Sequence, residues 1–196
     1  MDTVFFKNFY QDISKISKLL DYKALSKTIE ELFLLRKRKG RLFLIGIGGS
    51  AANCSHAVND FRKICQIDAY TPTDNVSELT ARINDEGWKT CFSEWLKISK
   101  MNGKDLLFIF SVGGGSKTKK VSENIIHAID YAKKKRCKII STIGKKTGYA
   151  YKKSNIVMLI PEVNRKLVTP YCESFQSVIW HSIVSHPKLM RNKTKW

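Results

Sequence analysis

The sequence predicts an α/β fold: a doubly wound parallel sheet flanked by helices, with an N-terminal helical arm over 1–38. Three observations carry that expectation. Short runs of Ile, Leu, Val and Phe recur along the chain, each bounded by Gly, Pro or a charge cluster, as strands buried on both faces require. Between them lie stretches with apolar residues at helical spacing. The two kinds of segment alternate, which is the order that builds a parallel sheet through helical crossovers.

Taken in order, VFFKNFY and LLDYKALSKTIEELFLL in the first forty residues read as one or two amphipathic helices. RLFLIGIG (41–48) is the first strand, and 50–65 carries helical spacing. IDAYTP (67–72) is a weaker strand, followed by a helix over about 88–100. DLLFIFSV (105–112) is the next strand. Over 117–135, Val121, Ile125, Ile126, Ile129 and Ala132 fall on one helical face with lysines opposite. CKIISTIG (137–144) and NIVMLIP (155–161) complete the strands, and 171–185 reads as a last helix. No repeat or low-complexity linker divides the chain, and 196 residues suit one domain over 1–196.

Composition narrows the class of protein. Hydrophobic residues at 43% and charged residues at 27% are globular rather than disordered proportions. No apolar run approaches the roughly 20 residues that span a bilayer, so no membrane association is expected. MDTVFFKNFYQDISK lacks the pattern of a secretory signal. Cys54, Cys65, Cys91, Cys137 and Cys172 are odd in number and form no C-x-x-C pair. That favours reduced thiols in a cytoplasmic protein over a disulfide frame or a structural zinc. The net charge of +18 would suit nucleic acid, an anionic membrane or a phosphorylated substrate, or reflect only a general lysine bias. The lysines are widely spread and no helix-turn-helix, RNA-binding or zinc-finger signature accompanies them, so nucleic acid is not the expected partner.

Two strand-to-helix junctions are rich in glycine and serine: GIGGS (46–50) and SVGGGS (111–116). Small residues there let backbone N–H groups and a helix N-terminus approach a phosphate, and serine hydroxyls add donors. Ordinary tight turns use the same residues. Neither loop is a G-x-x-x-x-G-K-[ST] loop, and Gly46, Gly48 and Gly49 do not continue as a dinucleotide fingerprint. Two such loops after successive long strands favour a phosphomonoester site. His56 and Asp60, four apart, share one face of the first helix after the GGS loop. They can hold a metal such as zinc, or His56 can simply bond to Asp60 or to the backbone. His127 reads as a surface residue, and His186, before Pro187, as a cap on helix carbonyls.

GGSAANCSH followed by Asp60, then SELTARINDEGW, SVGGGS and ESFQSVIWH, resembles the SIS (sugar isomerase) domain family over nearly the whole chain. Within it the phosphoheptose isomerases are the nearest branch. The resemblance implies a flavodoxin-like three-layer sandwich assembled as a homotetramer, with sites at subunit interfaces. It implies a divalent cation, zinc by preference, held by His56, Asp60, Glu173 and His181, the last two eight apart on the final helix. It implies an aldose–ketose isomerisation of a sugar phosphate, with Asp60 as base and His181 as its acid/base partner. Gly49, Ser50, Ser111, Gly113, Gly114 and Ser116 would hold the phosphate end, with Glu173 also contacting substrate. Asp85, in the NDEG turn, would lie near sugar hydroxyls, or form only an Asx turn. Arg62 and Lys63 are electrostatic helpers or solvated charges. Four positions depart from the family pattern: Asp60 for Glu, Glu173 for Gln, Gly113 for the middle serine, and Ile47 for a polar Asn. A non-catalytic SIS-fold protein that binds sugar phosphates or a replication initiator is the competing expectation.

Overall fold

The computed structural model describes residues 3–193, so both ends of the predicted 1–196 unit, including the last part of the basic tail, lie outside the described residues. Its elements are α1 (Thr3–Lys18), α2 (Tyr22–Lys37), β1 (Leu42–Ile45), α3 (Gly49–Lys63), β2 (Ala69–Tyr70), α4 (Val76–Glu86) and α5 (Cys91–Ile98). Then follow β3 (Leu106–Ser111), α6 (Glu123–Lys134), β4 (Lys138–Ile143), α7 (Tyr149–Lys153), β5 (Ile156–Leu159), a 3-10 turn (Arg165–Leu167) and α8 (Val168–Val184). The five strands form one parallel sheet in the order β2-β1-β3-β4-β5, with Leu42 beside Leu106 and Leu106 beside Lys138.

Every expected strand is present, and the pleat explains why their sequences read as unbroken apolar runs. Leu42, Leu44, Leu106, Phe108 and Phe110 point to one face, where Leu32, Leu35, Phe61, Trp180 and Ile183 of α2, α3 and α8 cover them. Phe43, Ile45, Leu107 and Ile109 point to the other, under Trp95, Leu96, Ile125 and Ile129 of α5 and α6. Of the N-terminal helices, α2 enters the core with Ile29, Leu32 and Leu35, whereas α1 fully buries only Ile16.

The helices differ from expectation in three places. The sequence predicts no helix over 76–86, yet α4 forms there without fully burying any residue. Leu79 and Ile83 pack partly against the core, and local polar contacts add to this: Asn75 Oδ1 accepts the Glu78 N–H at 3.2 Å, and Arg82 pairs with Glu78 at 2.7 Å and Glu86 at 3.3 Å. The short α7 is also unpredicted. Conversely, 117–122 is not helical. The Ser116 N–H donates to Val121 O at 2.9 Å and the Val121 N–H to Ser116 O at 3.1 Å, closing a tight hairpin. Lys120 and Ser122 adopt positive φ (50° and 52°) there, which breaks helical geometry and delays α6 to Glu123.

At the amino ends of β1 and β3, Asp105 is buried at 2% exposure. Its carboxylate accepts the Arg41 N–H at 2.9 Å, the Arg41 guanidinium at 2.7 Å and the Asn102 N–H at 2.9 Å. All five thiols are free and buried. Burial pushes Cys65, Cys137 and Cys172 up to about 12 and raises Cys54 as well. A thiol raised on folding stays protonated where the unfolded chain ionises, so stability is full below about pH 9 and falls as pH rises toward about 12. Urea unfolding midpoints should therefore drop between pH 9 and 11. At pH 8 Ellman's reagent should label these thiols only in denaturant; rapid labelling of the native protein would contradict their burial.

Candidate active site

In the order β2-β1-β3-β4-β5, the chain leaves β1 and β3 in opposite directions across the sheet, which opens a crevice at their carboxyl ends. Both glycine-serine loops border that crevice. A cavity of about 580 Å³ lies there, lined by Ile47 and Ser50 from the first loop and Ser111, Gly113, Gly115 and Ser116 from the second. The hairpin adds Thr118, Lys119 and Ser122, and the loop after β4 adds Lys145, Thr147 and Gly148.

The second loop is held from behind. Tyr149 and Ala150, the first residues of α7, donate their N–H groups to Gly115 O and Gly114 O, both at 2.8 Å. Gly114 and Gly115 have φ of 71° and 81°, the left-handed region that glycine adopts without strain. The loop after β4 touches this one backbone to backbone, since a Cβ on Gly148 would fall 2.1 Å from Gly113 O. Ser111 Oγ accepts the Gly114 N–H at 2.9 Å, which leaves its own proton for a ligand.

The second centre lies between α3 and α8, which pack side by side. Asp60 Oδ2 stands 3.9 Å from His56 Nε2 and 3.9 Å from His181 Nε2, and the three donor atoms all lie within 4.8 Å of one another. These gaps exceed hydrogen-bond length. Donors around a tetrahedral zinc at about 2.1 Å would stand roughly 3.4 Å apart, so small side-chain movements would close them on an ion. The donor set of two imidazoles and one carboxylate suits such an ion. His181 Nδ1 sits 2.9 Å from Ser177 O, so its proton belongs there and Nε2 turns its lone pair to the cluster. Asn59 Nδ2 donates to Asp60 Oδ1 at 2.9 Å, fixing the carboxylate. Trp180, wholly buried, packs its indole against His56 and His181 with ring centroids 4.7 and 3.5 Å away.

The chain is 26% identical over 191 residues to the lincomycin biosynthesis protein LmbN of Streptomyces lincolnensis, a match that covers 92% of this chain and 68% of that protein. It is 29% identical over 154 residues to the phosphoheptose isomerase of a Nitratiruptor species, covering 76% of each. Among solved structures, the phosphoheptose isomerase of Neisseria gonorrhoeae superposes with a TM-score of 0.79 at 20% identity, covering 93% of this chain and 94% of that one. The chain has the SIS fold. No protein-family model matches it.

On this SIS framework the sequence candidates divide into two groups. Ser50, Ser111, Gly113 and Ser116 line the cavity; Gly114 lies behind it, with Gly115 in its place. His56, Asp60 and His181 come together as the metal-compatible cluster, but Glu173 does not join them. Its carboxylate lies against Gly49 at the start of α3, where a Cβ would meet Glu173 Cδ at 2.6 Å. The physical reason is axial distance: eight residues along α8 separate Glu173 from His181 by about 12 Å. Asp85 is also displaced from the expected turn. It belongs to the last turn of α4, is exposed, and accepts from Asn84 at 2.8 Å, while Gly87 (φ 82°) ends the helix. His127 is exposed on α6 as expected. His186 donates its backbone N–H to Ile183 O at 3.1 Å at the end of α8, while its ring Nδ1 accepts the Lys188 N–H at 3.2 Å. Lys119 and Lys145 belong to the cavity without standing in any expected motif, and Trp180, within ESFQSVIWH, belongs to the metal-compatible cluster without an expected role.

Proposed function

We propose that this chain is an aldose–ketose isomerase of a phosphorylated sugar, converting sedoheptulose 7-phosphate to D-glycero-D-manno-heptose 7-phosphate in the supply of activated heptose for surface polysaccharide. The observation that carries the reading is the convergence of His56, Asp60 and His181 on α3 and α8, the same α3 whose first turn borders the glycine-serine cavity. Ser50 and His56 are separated by about 9 Å along that helix, a span that an extended sugar chain with a terminal phosphate can bridge. The phosphoheptose isomerases similar in sequence and fold support the same substrate class.

In this reading His56, Asp60 and His181 hold a divalent cation, zinc by the donor set, and Glu173 serves the substrate rather than the ion. Such an ion supplies Lewis-acid polarisation of the substrate carbonyl. Asp60 is the one carboxylate in the cluster and removes the proton α to the carbonyl. His181, with Nδ1–H anchored on Ser177 O, is the acid/base partner: its Nε2, when not bound to the ion, would take up a proton and return it to the neighbouring oxygen or carbon. Trp180 keeps both imidazoles oriented. At the other end Ser50, Ser111 and Ser116 anchor the phosphate. A homotetramer is the expected assembly, supported by the apolar Val4, Phe6 and Tyr10 that α1 exposes; light scattering reads its mass.

The decisive experiment incubates the protein, loaded with zinc or manganese, with sedoheptulose 7-phosphate and follows aldose formation. Turnover that His181→Ala abolishes, with phosphate binding intact, supports the reading. No turnover with several metals across several ketose phosphates would overturn it and leave a sugar-phosphate-binding protein.

A further inference from the structure

Two cations stand in the glycine-serine cavity where the sequence motifs supply only neutral donors. Lys119 and Lys145 are the charged residues of its lining, and no carboxylate lines it. Their placement follows from the backbone. The hairpin closed between Ser116 and Val121 carries four residues, and its lysines diverge. Lys117 turns outward, 3.6 Å from Asp130 and 4.8 Å from the centre of the Tyr149 ring. Lys119 turns to the cavity, and its N–H donates to Ser116 Oγ at 3.3 Å, which ties its backbone to the loop. Lys145 arrives from the loop after β4, whose neighbour Gly148 abuts Gly113. Neither Lys119 nor Lys145 forms an ion pair with any described carboxylate.

The same lining has a position with no side-chain donor. A Cβ built on Gly113 meets nothing within 4 Å, so a side chain would fit there and none is present. Resting on the reading of this cavity as the phosphate end of the site, we propose that Lys119 and Lys145 recognise the phosphoryl dianion by charge, in place of a hydroxyl at position 113. Ser111, Ser116 and the loop amides orient the phosphoryl oxygens; the two ammonium groups supply the attraction that selects a dianion over a neutral terminus. Both lysines are exposed, so their contribution is open to screening by salt.

The test titrates the full chain calorimetrically with inorganic phosphate, with a ketose phosphate and with the same ketose unphosphorylated, at low and high salt. Wild type is expected to bind the two phosphate compounds, and less tightly as salt rises. Lys119→Ala and Lys145→Ala should each weaken them about 5- to 20-fold and flatten the salt dependence, as loss of a charge-assisted contact does. Lys119→Arg should retain most of the affinity. Lys133→Ala, on the far end of α6, should change nothing and controls for net charge. Gly113→Ser added to Lys119→Ala should recover part of the loss. Wild-type affinity in both alanine variants, or an equal loss in Lys133→Ala, would overturn the role of the lysines while leaving the cavity as the phosphate site. Failure of wild type to prefer the phosphorylated ketose would overturn both.

Discussion

Asp60→Asn is expected to cut turnover of a ketose phosphate by about 10³-fold while leaving the fold and the binding of inorganic phosphate unchanged. The substitution preserves shape, because Asn59 can still bond to the amide oxygen in place of Oδ1. What it removes is the negative charge that faces two imidazole Nε2 atoms at 3.9 Å each. An amide is neither a base at carbon nor an anionic donor for a divalent cation. Loss should therefore appear in kcat rather than KM, together with a weakened affinity for zinc measured by competition with a chelating dye. Asp60→Glu, which restores the charge on a longer arm, should recover a large part of the activity. An Asp60→Asn enzyme within a few fold of wild type would remove Asp60 from the chemistry.

The largest expected effect on stability lies at the opposite end of the sheet. Asp105→Ala leaves the N–H groups of Arg41 and Asn102 without their carboxylate acceptor and removes the anion from the Arg41 guanidinium, which keeps only its bonds to Ser99 O and Lys100 O. Removing one partner of a largely buried pair costs about 3 kcal/mol, because the groups left behind lose solvent and partner together. In a chain of this length that lowers Tm by roughly 6 to 12 °C. At 20 °C the variant should keep its catalytic constants, since β1 and β3 carry Asp105 and the cavity at opposite ends. A Tm within 2 °C of wild type would show the carboxylate network to be weak.

Strands and site were legible in this sequence to different degrees, for physical reasons. Strands buried on both faces read as apolar runs, so β1 and β3 could be read directly, whereas β2, a two-residue edge strand with Tyr70 exposed, gave only a weak signal. α4 was harder to read, because it fully buries no residue: only Leu79 and Ile83 pack partly against the core, and Asn75 and Arg82 supply the rest of its order. The hairpin over 116–121 interrupts what looks like one amphipathic helix: Val121 sits at helical spacing from Ile125 yet closes a turn. The pairing of His56 with Asp60 was readable from helical spacing, whereas His181 entered through the resemblance, and it meets them because α3 and α8 lie side by side. Helical spacing says nothing of which neighbour a side chain meets, and Glu173 meets Gly49 instead of the cluster. Lys119 and Lys145 looked like any other lysines, since what brings them to one cavity is the pairing of β3 with β4.

The contact between Gly113 and Gly148 has a consequence for how this cavity can diversify. One of its walls is made of main chain alone, and a side chain at 148 would collide with the Gly113 carbonyl. Mutation therefore has no means of widening or narrowing that wall. A descendant that accepts a shorter or bulkier sugar phosphate must change elsewhere, at Ile47, in the hairpin, at Lys145, or by filling the open position at 113. Those few positions are where relatives with different substrates should be found to diverge, while the two glycine loops persist beneath them.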